Sequence, residues 1–191
     1  MHELDQRIRA EAVYLGDGLV KLDSFLNHRV DTLLMTQIGV ELARHLIAAG
    51  VSSTTTVLTA ETSGIAPALT TAQALGVPMV FARKKRPVTL TAECYQSSAR
   101  SHTKGEIATL YVSTDYLTPD DRVVIVDDFL GTGETAEAML DLVEQSGATL
   151  CGIGYVIEKV YEHGRDHMRE IDTPIVSLAR IDIENGLVVL R

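Results

Sequence analysis

The sequence predicts an α/β domain in which a mostly parallel β-sheet is covered by helices on both faces. β-rich segments alternate with helical segments from about residue 31 to residue 159, a pattern typical of parallel strands joined by helical crossovers. The chain has 191 residues, of which 46% are hydrophobic and 23% charged. One domain spanning residues 1–191 accounts for this length and composition.

The first third of the chain predicts two helices separated by an extended segment. The first helix runs from about Glu3 to Val13, and the extended segment continues to Asp31. Asp31 is a typical helix N-cap, and after it apolar residues recur at helical spacing until Gly50. These apolar residues are Leu33, Leu34, Ile38, Leu42, Leu46 and Ile47.

The middle of the chain predicts a strand, a helix and a second strand. TTTVLTA (54–60) is interpreted as a buried strand, 64–76 as a helix that ends at Gly76, and 78–83 as the next strand. The polar stretch at about 85–105 is predicted to be a flexible loop, either a hairpin with a mobile tip or a plain surface loop.

The last third predicts three more strands and one helix. IATLYVS (107–113) and VVIVDD (123–128) are interpreted as strands, and a helix to about Ser146 precedes a strand at 149–159. We find no internal repeat and no linker.

Composition excludes several classes of function. The net charge of −9 opposes a broad nucleic-acid surface, and no apolar run approaches the roughly 18 residues of a membrane helix. The polar N-terminal segment lacks the pattern of a secretory signal, and Cys94 and Cys151 do not form a CxxC pair. We therefore expect a cytoplasmic protein with neither nucleic acid nor membrane as a partner.

The segment from Val123 to Thr135 carries the clearest chemistry. Four β-branched residues lead into Asp127 and Asp128 where the strand is expected to end. Two buried acids are costly without a partner, so we expect them to face a polar ligand or a metal. Gly131, Thr132, Gly133, Glu134 and Thr135 then open a helix, where free backbone N–H groups favour a phosphate.

Two other interpretations of this segment stay open at this point. It can be an ordinary strand-to-helix turn with capping residues. Gly131, Gly133 and Ala136 also match a dinucleotide-binding GxGxxA pattern, with Glu158 as the following acid. That pattern normally follows the first strand of its domain, whereas several elements precede it here.

The same segment resembles the phosphoribosyl pyrophosphate motif of type I phosphoribosyltransferases, which pairs an apolar strand and two acids with a small-residue loop. The resemblance implies the type I phosphoribosyltransferase fold, with a small hood formed by about residues 1–30 and the C-terminal segment. It also implies that Asp127 and Asp128 hold the ribose hydroxyls and that residues 131–135 bind the 5-phosphate. Gly131 departs slightly, since many members carry Ser, Thr or Ala there.

Further segments resemble one branch of that family, the bacterial xanthine phosphoribosyltransferases. They are LVKLDSFLNHRVD (19–31), TSGIAPAL (62–69), VPMVFARKKRPVTLT (77–91), DDFLGTGETA (127–136), GIGYVIEK (152–159) and SLARI (177–181). The resemblance implies that four residues contact the purine: Val20, which is commonly Leu in the family, Asn27, Phe129 and Lys159.

The pyrophosphate of the donor requires cations and backbone donors. By the same resemblance, Thr62 and Ser63 belong to a pyrophosphate loop, and Arg83 and Lys84 are the candidate cations. The alternatives for the basic run 83–86 are a solvated surface and a weak nucleic-acid patch, the second of which the acidic net charge opposes. The loop residues Ser101, Thr103 and Lys104 are expected to approach the pyrophosphate on closure.

The resemblance implies transfer of a phosphoribosyl group to a purine, with Mg²⁺ carried mainly by the phosphoribosyl pyrophosphate, and a homodimer. Xanthine is the expected base, while adenine, hypoxanthine and guanine remain alternatives within the enzyme class. The alternative from another class is a purine-responsive regulator, which the acidic charge and the short segment before Leu19 oppose. The i, i+4 pair His163 and His167 lacks a third zinc ligand.

Overall fold

The computed structural model describes residues 1–86, 93–100 and 107–191. Its helices are α1 (His2–Glu11), α2 (Thr32–Ala48), α3 (Ile65–Leu75), α4 (Glu134–Ser146) and α5 (Gly164–His167), with a 3-10 turn at Val160–Glu162. Its strands are β1 (Val13–Gly16), β2 (Leu19–Lys21), β3 (Thr56–Ala60), β4 (Met79–Ala82), β5 (Cys94–Arg100), β6 (Ile107–Ser113), β7 (Arg122–Leu130), β8 (Thr149–Lys159), β9 (Ile175–Glu184) and β10 (Leu187–Leu190).

Six strands form the central sheet in the order β10-β9-β8-β7-β3-β4. The ladders joining β4, β3, β7, β8 and β9 are all parallel, and β10 pairs antiparallel with β9. β7 and β8 therefore lie in the middle of the sheet. Parallel strands place all their carboxyl ends at one edge, which is where open α/β sheets bind ligands.

The two faces of the sheet bury separate apolar cores. Val124 and Val126 of β7 pack with α2 and α3 on one face, whereas Val123 and Ile125 pack with α4 and β6 on the other. All four side chains are fully buried, and each such burial stabilises the fold by about 1.5–3 kcal/mol. A continuous apolar run is required here because both faces of the strand are covered.

Several predicted element boundaries are confirmed by local chemistry. Asp31 caps α2, since its Oδ1 accepts a hydrogen bond from the backbone N–H of Leu34 at 3.2 Å. Gly76 ends α3 in the left-handed conformation, with φ of 71°. The N-terminal helix, the strand over 54–60 and the helix to Ser146 are found within two residues of their predicted bounds.

Two of the described boundaries differ from the prediction. β7 continues to Leu130, so Asp127 and Asp128 lie within the strand and not after its end. Residues 94–100, predicted as part of the loop at 85–105, form β5 and pair with β6. The remaining tip residues of that prediction, with Ser101, Thr103 and Lys104, lie outside the described residues.

The N-terminal region forms a small cap near one end of the sheet. β1 and β2 form an antiparallel hairpin whose turn residues Asp17 and Gly18 have positive φ angles of 49° and 76°, as tight hairpin turns require. α1 and β1 both contact β10, and Arg7 joins α1 to Asp31 with a 3.1 Å ion pair. We call the β1–β2 hairpin the hood hairpin. Within the described residues, no helix is long and apolar enough to cross a membrane.

Candidate active site

Three connections meet at the carboxyl edge of the central sheet. They are the turn 61–64 after β3, the loop Gly131–Gly133 after β7, and the segment 160–164 after β8. We call Gly131–Gly133 the glycine loop. Most of the predicted site residues lie on these connections or on the strands just before them.

Asp127 and Asp128 form a buried acid pair on β7. Each residue is only 7% exposed, and the backbone N–H of Asp128 donates to Oδ1 of Asp127 at 2.9 Å. Burial raises the pKa of Asp127 well above its ordinary value, the negative charge of Asp128 raises it further, and the positive charge of Lys84 partly opposes both effects. The pair is therefore held in an environment that favours the arrival of hydroxyl donors or positive charge.

Asp128 is the point where three distant segments meet. Burial raises the pKa of its carboxyl, while hydrogen bonding from Asp127, from the backbone N–H of Phe129, and from the Ser63 and Asn27 side chains lowers it. Ser63 lies in the turn after β3, and Asn27 lies in the segment after the hood hairpin. Residues predicted separately for the pyrophosphate, the purine and the ribose are thus brought together at one carboxylate.

Gly64 is required by the same acid pair. It lies in the segment 62–69 that carries the family resemblance, but this packing role was not predicted. A Cβ atom on Gly64 would collide with Oδ1 of Asp127 and with Oγ1 of Thr59. The Thr59 hydroxyl is fully buried, and no hydrogen-bond partner for it occurs in the described part of the chain. Glycine therefore lets the turn 61–64 approach β7 closely enough to bring Ser63 to Asp128.

The glycine loop presents backbone donors at the start of α4. Gly133 precedes the helix with φ of 96°, and among the described residues no side chain caps the helix N-terminus. The first N–H groups of a helix lack internal partners and carry the positive end of the helix dipole. Thr132 is half-buried and Thr135 exposed. This arrangement fits an anion such as a phosphate, as the sequence predicted.

Lys159 ends β8, on the side of the site that faces the hood hairpin. Its Nζ donates to the carbonyl oxygen of Gly18 at 3.2 Å and to Oε1 of Glu162 at 3.1 Å. Nζ also lies 5.4 Å from the centre of the Phe129 ring, within the range of a cation–π contact. The predicted purine residues Lys159 and Phe129 are therefore in direct contact.

Two further residues on this side were missed by the sequence prediction. The Tyr161 hydroxyl donates to the same Gly18 carbonyl at 2.9 Å, and burial raises the pKa of Tyr161 well above its ordinary value, which keeps that proton in place. The Glu162 carboxylate also lies against Gly131, where a Cβ atom would otherwise be. Val20 packs at the margin of the same apolar core as Phe129 and Tyr161. Closeness to Lys159 in sequence was the only available signal.

The two cations predicted to bind the pyrophosphate, Arg83 and Lys84, lie in different environments. The charge of Lys84 acts on Asp127, and its backbone N–H donates to Oε1 of Glu61 at 2.7 Å. The Arg83 guanidinium lies over the exposed Phe81 ring at 5.6 Å. Thr62 follows a cis peptide bond after Glu61 and is exposed to solvent. Lys84 is thus the cation that the structure places with the acid pair.

The structure argues against the dinucleotide interpretation. Glu158, the acid expected to bind a ribose in that case, is buried and bound by Arg165 and Ser177. Several strands also precede the glycine loop. Among residues 1–86, 93–100 and 107–191, no group of three or more His, Cys, Asp or Glu is arranged to hold a metal.

Comparison with known proteins identifies the family of this arrangement. A family model described as phosphoribosyl transferase domain matches residues 30–185. A xanthine phosphoribosyltransferase from Streptococcus pneumoniae is 44% identical over 192 residues, covering 100% of this chain and 98% of the relative.

Solved structures of adenine phosphoribosyltransferases share the fold. The Saccharomyces cerevisiae protein superposes with a TM-score of 0.73 at 24% identity, covering 93% of this chain and 99% of its own. The Thermoanaerobacter pseudethanolicus protein gives a TM-score of 0.64 at 28% identity, covering 78% of this chain and 84% of its own.

Proposed function

This chain belongs to the phosphoribosyl transferase domain family, and we propose that it transfers the 5-phosphoribosyl group from phosphoribosyl pyrophosphate to xanthine. The products are xanthosine 5′-monophosphate and pyrophosphate. The observation that supports the proposal best is the meeting of Asn27, Ser63 and Asp128 at one buried carboxylate. A base-binding, a pyrophosphate-binding and a ribose-binding residue would then act on neighbouring atoms of two bound substrates.

The glycine loop and the acid pair divide the donor substrate between them. Backbone N–H groups of residues 131–135, with the hydroxyls of Thr132 and Thr135, bind the 5-phosphate at the start of α4. Asp127 and Asp128 accept hydrogen bonds from the ribose hydroxyls, which relieves the cost of burying two carboxylates. Lys84, with Arg83, Thr62 and Ser63, receives the pyrophosphate.

Lys159 supports a 6-oxopurine as the acceptor. An ammonium group has three N–H donors, and two of them go to Gly18 and Glu162. The third donates to a carbonyl oxygen of the base, whose ring packs against Phe129. Adenine presents an amino group in place of the 6-oxygen, so a donor would face a donor. The 44% identical relative, named a xanthine phosphoribosyltransferase, favours xanthine among the oxopurines.

Positioning and charge stabilisation account for the chemistry. The base nitrogen attacks the anomeric carbon as the bond to pyrophosphate breaks, and the ribose carries positive charge in the transition state. Asp127 and Asp128 hold that ribose in line between base and leaving group. Their carboxylate oxygens are the hard donors that suit Mg²⁺. When bound, Mg²⁺ carried mainly by phosphoribosyl pyrophosphate would supply positive charge that neutralises the leaving group.

Release of pyrophosphate tests the proposal directly. The purified protein is incubated with Mg²⁺ and phosphoribosyl pyrophosphate, and xanthine, guanine, hypoxanthine and adenine are supplied separately. We expect the highest kcat/KM with xanthine. A preference for adenine would contradict the role of Lys159 but keep the transferase reaction. The absence of turnover with every base would favour a purine-responsive regulator on the same fold.

We also propose that the enzyme acts as a homodimer in the cytoplasm, as the family resemblance implies. Sedimentation of the purified chain at two concentrations tests the assembly. A mass of twice 20.8 kDa at both concentrations is the expected result, and a monomer would contradict it.

A further inference from the structure

Glu158 and Arg165 form an ion pair beside the glycine loop, with the Glu158 side chain 4% exposed and the Arg165 side chain 36% exposed. Arg165 Nη2 lies 2.6 Å from Glu158 Oε2, Arg165 Nε lies 3.0 Å from both carboxylate oxygens, and the Ser177 hydroxyl donates to Oε2 at 2.9 Å. Burial alone would raise the pKa of Glu158, but the hydrogen bonds from Arg165 and Ser177 bring it below its ordinary value. The carboxylate is therefore charged and fully engaged.

The guanidinium of Arg165 also ties α5 to the edge of β9. Its Nη1 donates to the carbonyl oxygen of Ile175 at 3.1 Å, and its Nη2 donates to the Ser177 hydroxyl at 2.9 Å. Glu158 lies on β8, and Ser177 lies on β9. The backbone at Gly164 and Arg165 is thus held by two neighbouring strands of the central sheet. A planar guanidinium can make all these bonds at once, which an ammonium cannot.

Gly164 transmits this fixed position to the glycine loop. Its backbone N–H donates to the carbonyl oxygen of Gly131 at 3.0 Å. A Cβ atom on Gly164 would collide with that oxygen and would lie 2.8 Å from the backbone nitrogen of Gly133. The backbone of the glycine loop therefore rests directly on the backbone of Gly164. Any side chain there would move the loop.

We propose that Gly164, held in place by the Glu158–Arg165 ion pair, is a positioning residue for the 5-phosphate. It fixes the carbonyl of Gly131, so that the peptide N–H groups at Gly133 and the start of α4 converge on one anion. The inference rests on the proposed function, because it assumes that the glycine loop binds the 5-phosphate. Segment 158–165 would then have two roles. Lys159 contacts the base, and Gly164 positions the loop that binds the phosphoribosyl donor.

The test uses Gly164→Ala with two probes that separate the halves of the donor substrate. Ribose 5-phosphate reports on the glycine loop, and pyrophosphate with Mg²⁺ reports on the turn 61–64 and Lys84. We expect the dissociation constant for ribose 5-phosphate to rise at least about tenfold, with pyrophosphate binding unchanged. In steady-state kinetics the KM for phosphoribosyl pyrophosphate rises, while the KM for the purine stays within about twofold.

Gly76→Ala is the matched control, because Gly76 also has a positive φ of 71° but nothing lies within 4 Å of an added Cβ. It should lower the thermal midpoint, because a side chain is strained at this φ angle, without changing either dissociation constant. Arg165→Lys is the second variant, in case Gly164→Ala does not fold. It should weaken ribose 5-phosphate selectively, by a smaller factor.

The outcomes distinguish the inference from the proposed function. If a folded Gly164→Ala or Arg165→Lys protein binds ribose 5-phosphate as tightly as the parent, the inference is wrong. The same holds if both probes weaken equally, since that indicates a general loss of structure. If the parent protein itself binds neither ribose 5-phosphate nor pyrophosphate, the proposed function fails.

Discussion

Two sets of buried carboxylates on adjacent strands differ in what surrounds them. Asp127 and Asp128 on β7 lie beside one another, and burial raises the pKa of both. Glu158 on β8 is equally buried, yet its pKa is lowered because Arg165 and Ser177 hydrogen-bond to it. Leu130 and Glu158 are cross-strand neighbours, so the two sets are only a few residues apart in the sheet.

Under the proposed function, the difference separates a carboxylate that stabilises the fold from a pair that would bind a ligand. A buried charge is tolerated when its partner is built into the protein. Glu158 has such a partner, so replacing Glu158 should lower the stability of the fold. Within the described part of the chain, no cation forms a comparable ion pair with the acid pair, and the charge of Lys84 only partly lowers the pKa of Asp127. Replacing a residue of the acid pair should therefore lower activity.

The largest expected effect is on turnover in Asp128→Asn. The variant removes the charge at the carboxylate that Ser63 and Asn27 approach. We expect kcat/KM for phosphoribosyl pyrophosphate to fall about 10²–10³-fold, measured by pyrophosphate release. The thermal midpoint should stay the same or rise, because a buried charge is lost. A large fall in the midpoint would place Asp128 with Glu158 as a structural acid.

Glu158→Gln should show the opposite behaviour. Arg165 would lose its counter-ion, and the free energy of unfolding should fall by about 2–3 kcal/mol, measured by urea denaturation. Glu144→Gln is the matched control, because Glu144 is an exposed acid on α4 and should change stability by less than about 0.5 kcal/mol. Equal stability of the two variants would show that the ion pair contributes nothing to the fold.

The pH dependence of stability should differ in sign between the two sets. A raised pKa in the folded state means that the stabilising proton on Asp127 is lost as pH rises from the unfolded-state pKa through the folded one. The side chain in Asp127→Asn cannot ionise. The thermal midpoint of this variant, relative to that of the parent, should therefore be about 2–4 °C higher at pH 8 than at pH 4.

Glu158 provides the internal reference for that experiment. Its lowered pKa contributes stability above the unfolded-state pKa, and this contribution is lost as pH falls through the folded one. The thermal midpoint of the parent should therefore exceed that of Glu158→Gln at neutral pH, and this difference should shrink at acidic pH. A midpoint difference that changes with pH in the same direction for both variants would contradict the comparison.

The smallest effect is expected for a fourth carboxylate, Glu162. It is paired with Lys159 at 3.1 Å, and its side chain is 20% exposed. Glu162→Gln should change the free energy of unfolding by less than about 1 kcal/mol. The KM for the purine should rise about threefold, since Lys159 loses one of its two anchors. Tyr161→Phe, which removes only the bond to Gly18, should have a similar effect; an unchanged KM in both variants would remove Lys159 from the purine site.

Features that depend on neighbouring residues were predictable from the sequence. Asp31 caps α2 through a residue three positions away, and Gly76 ends α3 through its own φ angle. The acid pair and the glycine loop are continuous in sequence, so their chemistry could be interpreted directly. The parallel sheet could be predicted from the alternation of strands and helices, because the buried strands appear in the sequence as apolar runs.

Features that depend on distant contacts were not predictable in the same way. β7 continues through two acids because Asp127 and Phe129 pair with Tyr155 and Ile157 of β8, and this ladder overrides their polarity. The contact of Tyr161 with Gly18 spans 143 residues. Gly64 and Gly164 are ordinary turn glycines in the sequence. Only the atoms packed against them reveal their roles, the Asp127 and Thr59 side chains at Gly64 and the glycine-loop backbone at Gly164.

If the site binds its substrates as proposed, the meeting of Asn27 and Ser63 at Asp128 would couple the two substrates thermodynamically. Ribose hydroxyls bound to Asp128 would compete with Asn27 for the same carboxylate and so release the Asn27 amide for the base. Whatever factor the donor substrate gains or loses when the base is present, the base must gain or lose when the donor is present. One carboxylate would thereby link the affinities of both substrates for the same site.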